Sequence, residues 1–243
     1  MPEDNFHSSP TGRSVKTSVD ASIECVLFDL DGTLVDTAPD FITVMQQLLM
    51  DEGREPVADE LIRQTVSDGA RALVKLGFEI EEPDPEYLRL HSRLLELYHD
   101  QLLHSRARAY PGMRELLDKL DATGTAWGIV TNKPEYLSTR LLQKLDLVPR
   151  CKALVCPDHV IVRKPDPEAL LLACSQLGVT TERTVYIGDH IRDIQAARNA
   201  DIIAVAAAWG YLHPDTVVEE WGADFILRSP EKTEALLAML KFV

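Results

Sequence analysis

Carboxylates recur in this chain where short apolar runs stop. One run ends at Asp29-Leu30-Asp31-Gly32-Thr33, a second at Thr131-Asn132-Lys133 and a third at Gly188-Asp189-His190-Ile191-Arg192-Asp193, while Lys164-Pro165-Asp166-Pro167 stands just ahead of a helical pattern. In a parallel sheet the ligand crevice lies beyond the carboxyl ends of the strands, so such endings bring carboxylates, hydroxyls and a lysine to one place. Asp29, Asp31, Asp189 and Asp193 gathered there repel one another, each close pair by about 4 kcal/mol at an effective dielectric near 20. A hard divalent cation removes the conflict. Mg2+ takes one or two carboxylates, waters and a substrate phosphate oxygen, which suits Asp29 and Asp189 flanking an open position. Taken singly, the same residues read as ordinary structure: Asp-Gly-Thr as a turn, Thr-Asn-Lys as a strand terminus, Lys-Pro as a helix start, Gly-Asp as a turn with Asp193 on a solvated helix face. Their order along the chain favours the chemical reading.

The elements that must position these residues are legible in the hydrophobic pattern. Ile23 to Asp29, Ala126 to Thr131, Ala153 to Cys156, Thr184 to Gly188 and Ile202 to Ala206 are apolar without the alternation of a half-wet sheet, and Asp224 to Leu227 is a weaker sixth run. Such runs predict strands buried on both faces. Between them lie segments of helical period, Met113-Leu116-Leu117-Leu120, Leu137-Leu141-Leu145, Ile191-Ile194-Ala197 and Leu236-Met239-Leu240. Strand alternating with helix predicts an α/β fold with a doubly wound parallel sheet. From Thr37 to Ala109 no strand pattern interrupts the helical ones, Phe41-Val44-Met45-Leu48-Leu49 and Tyr87-Leu90-Leu94-Tyr98-Leu102, so an all-helical insertion is expected at 37–109, within a core of 22–36 and 110–243. Thr37-x-x-Asp40 predicts a capping box at its start. Residues 1–21 are too poor in apolar side chains to offset ordering entropy and are expected to form a disordered tail.

Composition narrows the partners. The 243 residues carry 39 acidic against 25 basic side chains, a net charge of −14, the wrong sign for holding a nucleic acid backbone. A small phosphate is still admissible where a metal ion or local lysines reverse the field. The longest apolar run is too short for a membrane span, and the start lacks the basic and apolar segments of a secretion signal, so a cytoplasmic location is expected. Cys25, Cys151, Cys156 and Cys174 contain no CxxC pair and read as reduced core thiols, and the spacing of Cys151, Cys156 and His159 fits no common zinc pattern.

Together, Asp29-Leu-Asp-Gly-Thr-Leu-Val-Asp-Thr, Thr131-Asn132, Lys164-Pro165 and Gly188-Asp189-x-x-x-Asp193 resemble, in order, the four motifs of the haloacid dehalogenase-like phosphatases, over roughly residues 23 to 230. The resemblance implies a Rossmann-like core with a helical cap inserted after the first strand. It implies Asp29 as the nucleophile that takes the phosphoryl group and Asp31 as general acid and base, the latter also lending its backbone carbonyl to Mg2+. Thr131 and Asn132 would hold phosphate oxygens and Lys164 would balance charge, while Asp189 completes the metal site with Asp193 in support. The chemistry agrees: a carboxylate attacks phosphorus only when the phosphate dianion is screened, and an acid two residues on, on the same side of an extended segment, can protonate the leaving alkoxide. A dehalogenase has no use for that acid, because halide leaves unprotonated. His190 departs from the Ser or Asp common at its position in the family, and Asp36 reads as a linker or capping residue.

Longer segments, including Val66-Ser-Asp-Gly-Ala-Arg-Ala72, Cys156-Pro-Asp-His-Val160 and Gly210-Tyr-Leu-His-Pro214, resemble the bacterial branch acting on phosphoglycolate and, more closely, on N-acetylmuramic acid 6-phosphate in peptidoglycan recycling. Both esters carry a carboxylate, for which Arg71 is the natural bidentate partner in the cap, although a solvated helix arginine is the competing reading. Competing functions are a phosphosugar mutase, for which the cap has no recognisable signature, and a non-catalytic binding module, for which so repulsive an acidic cluster has no physical reason.

Overall fold

The computed structural model describes residues 22–240. The expected disordered tail, 1–21, lies outside the described residues. The elements run β1 (Cys25–Phe28), β2 (Val35–Asp36), α1 (Ala38–Asp51), α2 (Asp59–Thr65), α3 (Ala70–Phe78), α4 (Pro85–Gln101), β3 (Arg108–Ala109), α5 (Met113–Thr123), β4 (Ala126–Val130), α6 (Glu135–Lys144), β5 (Leu154–Val155), α7 (Glu168–Leu177), β6 (Thr184–Gly188), α8 (Ile191–Asn199), β7 (Ile203–Ala207), β8 (Phe225–Leu227) and α9 (Thr233–Met239).

All six apolar runs pair as expected, in a parallel sheet of order β5-β4-β1-β6-β7-β8. The chain winds from the centre to one edge and then to the other, so the order reverses beside β1, where a crevice must open. Side chains of β1 alternate between two cores. Val26 and Phe28 join the cluster that includes leucines of α5, α6 and α9, and Cys25 and Leu27 join the one holding Leu170 of α7 and Ile194 of α8. Both faces are covered, which is why these strands need uninterrupted apolar sequence rather than alternation.

Between β2 and β3 the chain forms only helices, α1 to α4, a cap region packed above the sheet. Every apolar position in the two helical patterns noted from the sequence, Phe41 to Leu49 and Tyr87 to Leu102, is buried. The ribbon formed by β2 and β3 is antiparallel, with Val35 opposite Ala109 and Asp36 opposite Arg108, so the chain leaves and re-enters the core side by side. Asp40, buried in α1, accepts hydrogen bonds from the Arg106 N–H (2.9 Å), from Ser105 Oγ (2.5 Å) and from Gln101 Nε2 (3.3 Å), binding the outgoing helix to the end of α4 and the segment that leads into β3.

The capping box expected at Thr37 and Asp40 is not formed. Thr37 makes no side-chain cap; its hydroxyl donates to Asp31 instead (2.5 Å), and the first N–H groups of the helix go to Asp36 Oδ1 (3.2 Å from Ala38 N) and to the Tyr211 hydroxyl. Asp31 takes the Thr37 hydroxyl and Asp36 and Tyr211 take the place of the cap, so the expected pairing has no free partners. Among the described residues no helix is long and apolar enough to cross a membrane.

Candidate active site

The register of the sheet explains why residues far apart in sequence meet. Phe28 lies opposite Ile129 of β4 and Ile187 of β6, so Asp29 emerges beside the ends of both strands, with Thr131 and Asp189 immediately beyond. Asp29 donates its N–H to the Ile187 carbonyl (2.8 Å), which fixes its backbone where the strand stops. The carboxylate oxygens of Asp29, Asp189 and Asp193 lie within 4.8 Å of one another, all three residues buried, and among the described residues this is the one cluster of His, Cys, Asp or Glu able to hold a metal ion.

Lys164 balances part of this charge. Its Nζ, 3% exposed as a residue, lies 2.9 Å from Asp29 Oδ1, 2.7 Å from Asp193 Oδ1, 2.9 Å from the Val130 carbonyl and 2.7 Å from the Tyr186 hydroxyl. Asp193 is further held by the His190 N–H (3.0 Å) as part of the capping box that starts α8. Burial pushes Asp193 up, but Lys164 and Arg192 outweigh it and hold the carboxyl below its ordinary value. At Asp29 and Asp189 burial wins instead. Burial, against Lys164 and with the neighbouring aspartates, pushes Asp29 up to about 6, and burial together with the charges of Asp29 and Asp193 pushes Asp189 up to about 7.

Such a pair of buried, mutually repelling carboxylates fits a hard divalent cation, whose oxygen preference matches the donor set. Asp189 is also closely cradled. Gly32, at φ +82°, stands where a Cβ would come within 2.1 Å of Asp189 Oδ2, and a Cβ on Gly210 would come within 2.2 Å of Asp189 Cβ, so both positions must be glycine for the carboxylate to occupy this place. The Tyr211 N–H (3.0 Å) and Ser67 Oγ (2.7 Å) donate to Asp189 Oδ2.

A cavity of about 510 Å³ opens over these residues, between core and cap. Asp29, Asp31, Thr131, Asn132 and Lys164 line its floor. Thr131 Oγ1 accepts the Lys133 N–H (3.1 Å), and Asn132 Nδ2 donates to the Lys164 carbonyl (3.2 Å). Arg71 also lines the cavity, with its side chain half exposed and 3.5 Å from Glu82. The residues singled out in the sequence therefore come together, with Asp189 and Asp193 held beneath the floor.

The sequence reading passed over several participants. Arg163 and Arg192 line the cavity, and the charge of Arg192 also acts on Asp193 and Asp68. Ser67 and Asp68, in the short turn Val66–Asp68 of the cap, reach Asp189 and His190; His190 Nε2 lies 3.1 Å from Asp68 Oδ1, and this hydrogen bond, against partial burial, holds the Asp68 carboxyl below its usual range. The His190 side chain thus reaches the cap, while its backbone N–H holds Asp193 of the carboxylate cluster. Lys133, 7% exposed, places Nζ 2.9 Å from Asp31 Oδ1. Its position directly after Thr131-Asn132, at a strand end otherwise devoted to the crevice, was the available signal. Cys25, Cys151, Cys156 and Cys174 are free thiols, and His159 Nδ1 accepts the Cys156 N–H (3.1 Å).

A doubly wound parallel sheet with a helical cap and an aspartate-lined crevice at its switch point defines a Rossmann-like α/β core, and the sequence comparisons place it. The family model for haloacid dehalogenase-like hydrolases matches residues 26–207, and the chain belongs to that family. Over 210 residues it is 43% identical to the N-acetylmuramic acid 6-phosphate phosphatase of Pseudomonas aeruginosa, covering 86% of this chain and 92% of that protein. It is 38% identical over 211 residues to a phosphoglycolate phosphatase of Xanthomonas campestris pv. campestris, covering 84% and 92%. The crystal structure of a predicted phosphoglycolate phosphatase from Haemophilus somnus superimposes with a TM-score of 0.78 at 24% identity, over 88% of this chain and 97% of that one, which establishes the shared fold. Within its family the protein is a phosphatase.

Proposed function

We propose that the protein hydrolyses a small phosphorylated acid, N-acetylmuramic acid 6-phosphate foremost, through a phosphoryl group carried on Asp29. The observation that carries the substrate reading is the cavity. At about 510 Å³ it falls in the range of about 300–1,000 Å³ that houses ring-sized ligands, several times what a two-carbon acid fills. Arg71, Arg163 and Arg192 on its wall supply guanidinium groups for a carboxylate. The greater identity to the muramic acid phosphatase supports the same choice. Phosphoglycolate is the alternative, favoured by the names of further relatives.

In this reading Asp29 attacks phosphorus in line with the ester oxygen. A bond forms between Asp29 and phosphorus as the ester P–O bond breaks, and Asp31 passes its proton to the departing alkoxide. Asp31 then takes a proton from water, whose oxygen bonds phosphorus as the Asp29 bond breaks, releasing inorganic phosphate. Thr131 and Asn132 hold phosphate oxygens, and Lys164 keeps Asp29 oriented and its charge matched. Asp29, Asp189 and the Asp31 backbone carbonyl would hold Mg2+, with Asp193 in support; the ion supplies screening of the phosphate charge.

The deciding experiment compares kcat/KM over a panel of phosphate esters that includes both acids, with Mg2+ present. N-acetylmuramic acid 6-phosphate should exceed phosphoglycolate, because contacts to the sugar are realised in the transition state. A clear preference for phosphoglycolate would overturn the first choice, and no turnover of any ester would overturn both.

A further inference from the structure

Lys133 has no task in the scheme above, yet its ammonium is buried at the centre of the site. Burying an ammonium is unfavourable unless it is paired, and here the pairing is divided between the core and the cap. Nζ donates to Asp31 Oδ1 (2.9 Å) and to the Tyr98 hydroxyl (2.9 Å), and it lies 4.1 Å from the centre of the Tyr98 ring and 4.8 Å from that of Phe41. The two rings stack on each other with centroids 4.1 Å apart. They belong to α4 and α1 of the cap, whereas Asp31 and Lys133 follow the ends of β1 and β4 in the core. An aromatic box of this kind attracts a cation through the negative faces of its rings.

The effect on Asp31 is directional. Both donors to its carboxylate, Lys133 Nζ and Thr37 Oγ1, fall on Oδ1, and Asp31 lines the cavity. We propose that Lys133 is a positioning residue for Asp31: it holds Oδ1 so that Oδ2 is left to exchange a proton with the ester oxygen and then with water, and the Tyr98–Phe41 box keeps the ammonium in place only while the cap is seated on the core. The inference rests on Asp31 as the acid and base of the proposed reaction. Lys133 keeps its own protons throughout. The proton that leaves Oδ2 goes to the departing alkoxide, and the one that returns comes from the attacking water.

The test compares leaving groups. In single-turnover experiments on the full-length, Mg2+-loaded protein, p-nitrophenyl phosphate releases an anion that needs no proton, whereas an alkyl phosphate must have one delivered. General acid catalysis is worth about 10²–10⁴-fold. Lys133→Met should therefore slow phosphoryl transfer from the alkyl ester that the wild type turns over fastest about 10-fold more than transfer from p-nitrophenyl phosphate, an intermediate share of that range. Tyr98→Phe, which keeps the lysine and removes one hydroxyl, should shift the ratio in the same direction by a smaller factor, and it carries the test if Lys133→Met does not fold. Asp31→Asn serves as the reference and should show the largest selective loss. Equal slowing of both esters in the lysine and tyrosine variants, with Asp31→Asn still selective, would reduce Lys133 to a packing residue and overturn the inference alone. An unselective Asp31→Asn would overturn the acid–base reading beneath it.

Discussion

Asp29 and Asp189 are held in conflict by the fold, and that conflict has a measurable pH signature. Both carboxyls are raised, to about 6 and about 7, above their ordinary value of 3.8. In the metal-free protein the folded state thus retains protons that the unfolded chain has already released. Stability from these groups is fully present below the unfolded pKa and is lost as pH rises through the folded values. Thermal unfolding without metal should therefore show Tm falling between about pH 4 and pH 7 from this source, and the gain in Tm on adding Mg2+ should be larger at pH 8 than at pH 5, since the ion needs ionised ligands. A Mg2+ effect independent of pH would contradict the assignment of these carboxylates to the metal. Gly210 tests the cradle directly. An added Cβ would meet Asp189 Cβ at 2.2 Å, so Gly210→Ala should weaken Mg2+ affinity measured by calorimetry and lower stability by about 1–3 kcal/mol, the ordinary cost of overpacking. Unchanged Mg2+ binding in a folded variant would show that Asp189 need not stay where it is.

At the scale of elements, the two crossings between core and cap are tied by hydrogen bonds that no local pattern announces. The Tyr211 hydroxyl accepts the N–H groups of Thr37 (2.6 Å) and Ala38 (2.9 Å) and donates to Asp36 Oδ1 (2.8 Å), while Asp36 also pairs with Arg63 (3.0 Å) from α2. Tyr211→Phe leaves the buried Thr37 N–H short of its acceptor and the Ala38 N–H with Asp36 Oδ1 alone, and should lower stability in chemical denaturation by about 1–3 kcal/mol. No measurable loss would mean that the hydroxyl is not what anchors α1. Arginines from three further places face the cavity: Arg71 in α3, Arg163 before α7 and Arg192 in α8. Arg71→Ala should reduce kcat/KM for an acid-bearing phosphate by about 1.5–3 kcal/mol and leave a neutral ester far less affected. Equal losses for both esters would trace to damage in the cap rather than to a lost charge contact. The sheet and the cap helices were legible because each buries enough apolar surface to imprint its period on the sequence. The β2–β3 ribbon was not, since two residues per strand are too few to carry a period. Thr37 misled for a related reason, its hydroxyl having a partner 6 residues earlier in sequence that a capping rule does not consider.

For the molecule as a whole, the acidic surface and the anionic substrate are reconciled inside the crevice. A net charge of −14 repels phosphate at long range, and Lys133, Lys164 and the cavity-facing arginines reverse the field where the ester must sit. The aspartates, Thr131, Asn132 and Lys164 could be placed from sequence because strand ends in a parallel sheet converge by topology. Ser67, Arg163 and Arg192 could not, and Lys133, though its place at a strand end was legible, could not be given its partners, because these depend on how the cap is laid over the core. The central claim is that core and cap enclose a site in which the phosphoryl group passes through Asp29. Its most direct measurement is acid-quenched turnover followed by mass analysis of the peptide containing Asp29. The wild type should carry a phosphoryl group on Asp29 during turnover, and Asp29→Asn, folded but neither a carboxylate nucleophile nor an anionic ligand, should carry none and release no phosphate. A phosphoryl group on a different residue, or substantial hydrolysis by Asp29→Asn, would contradict the account.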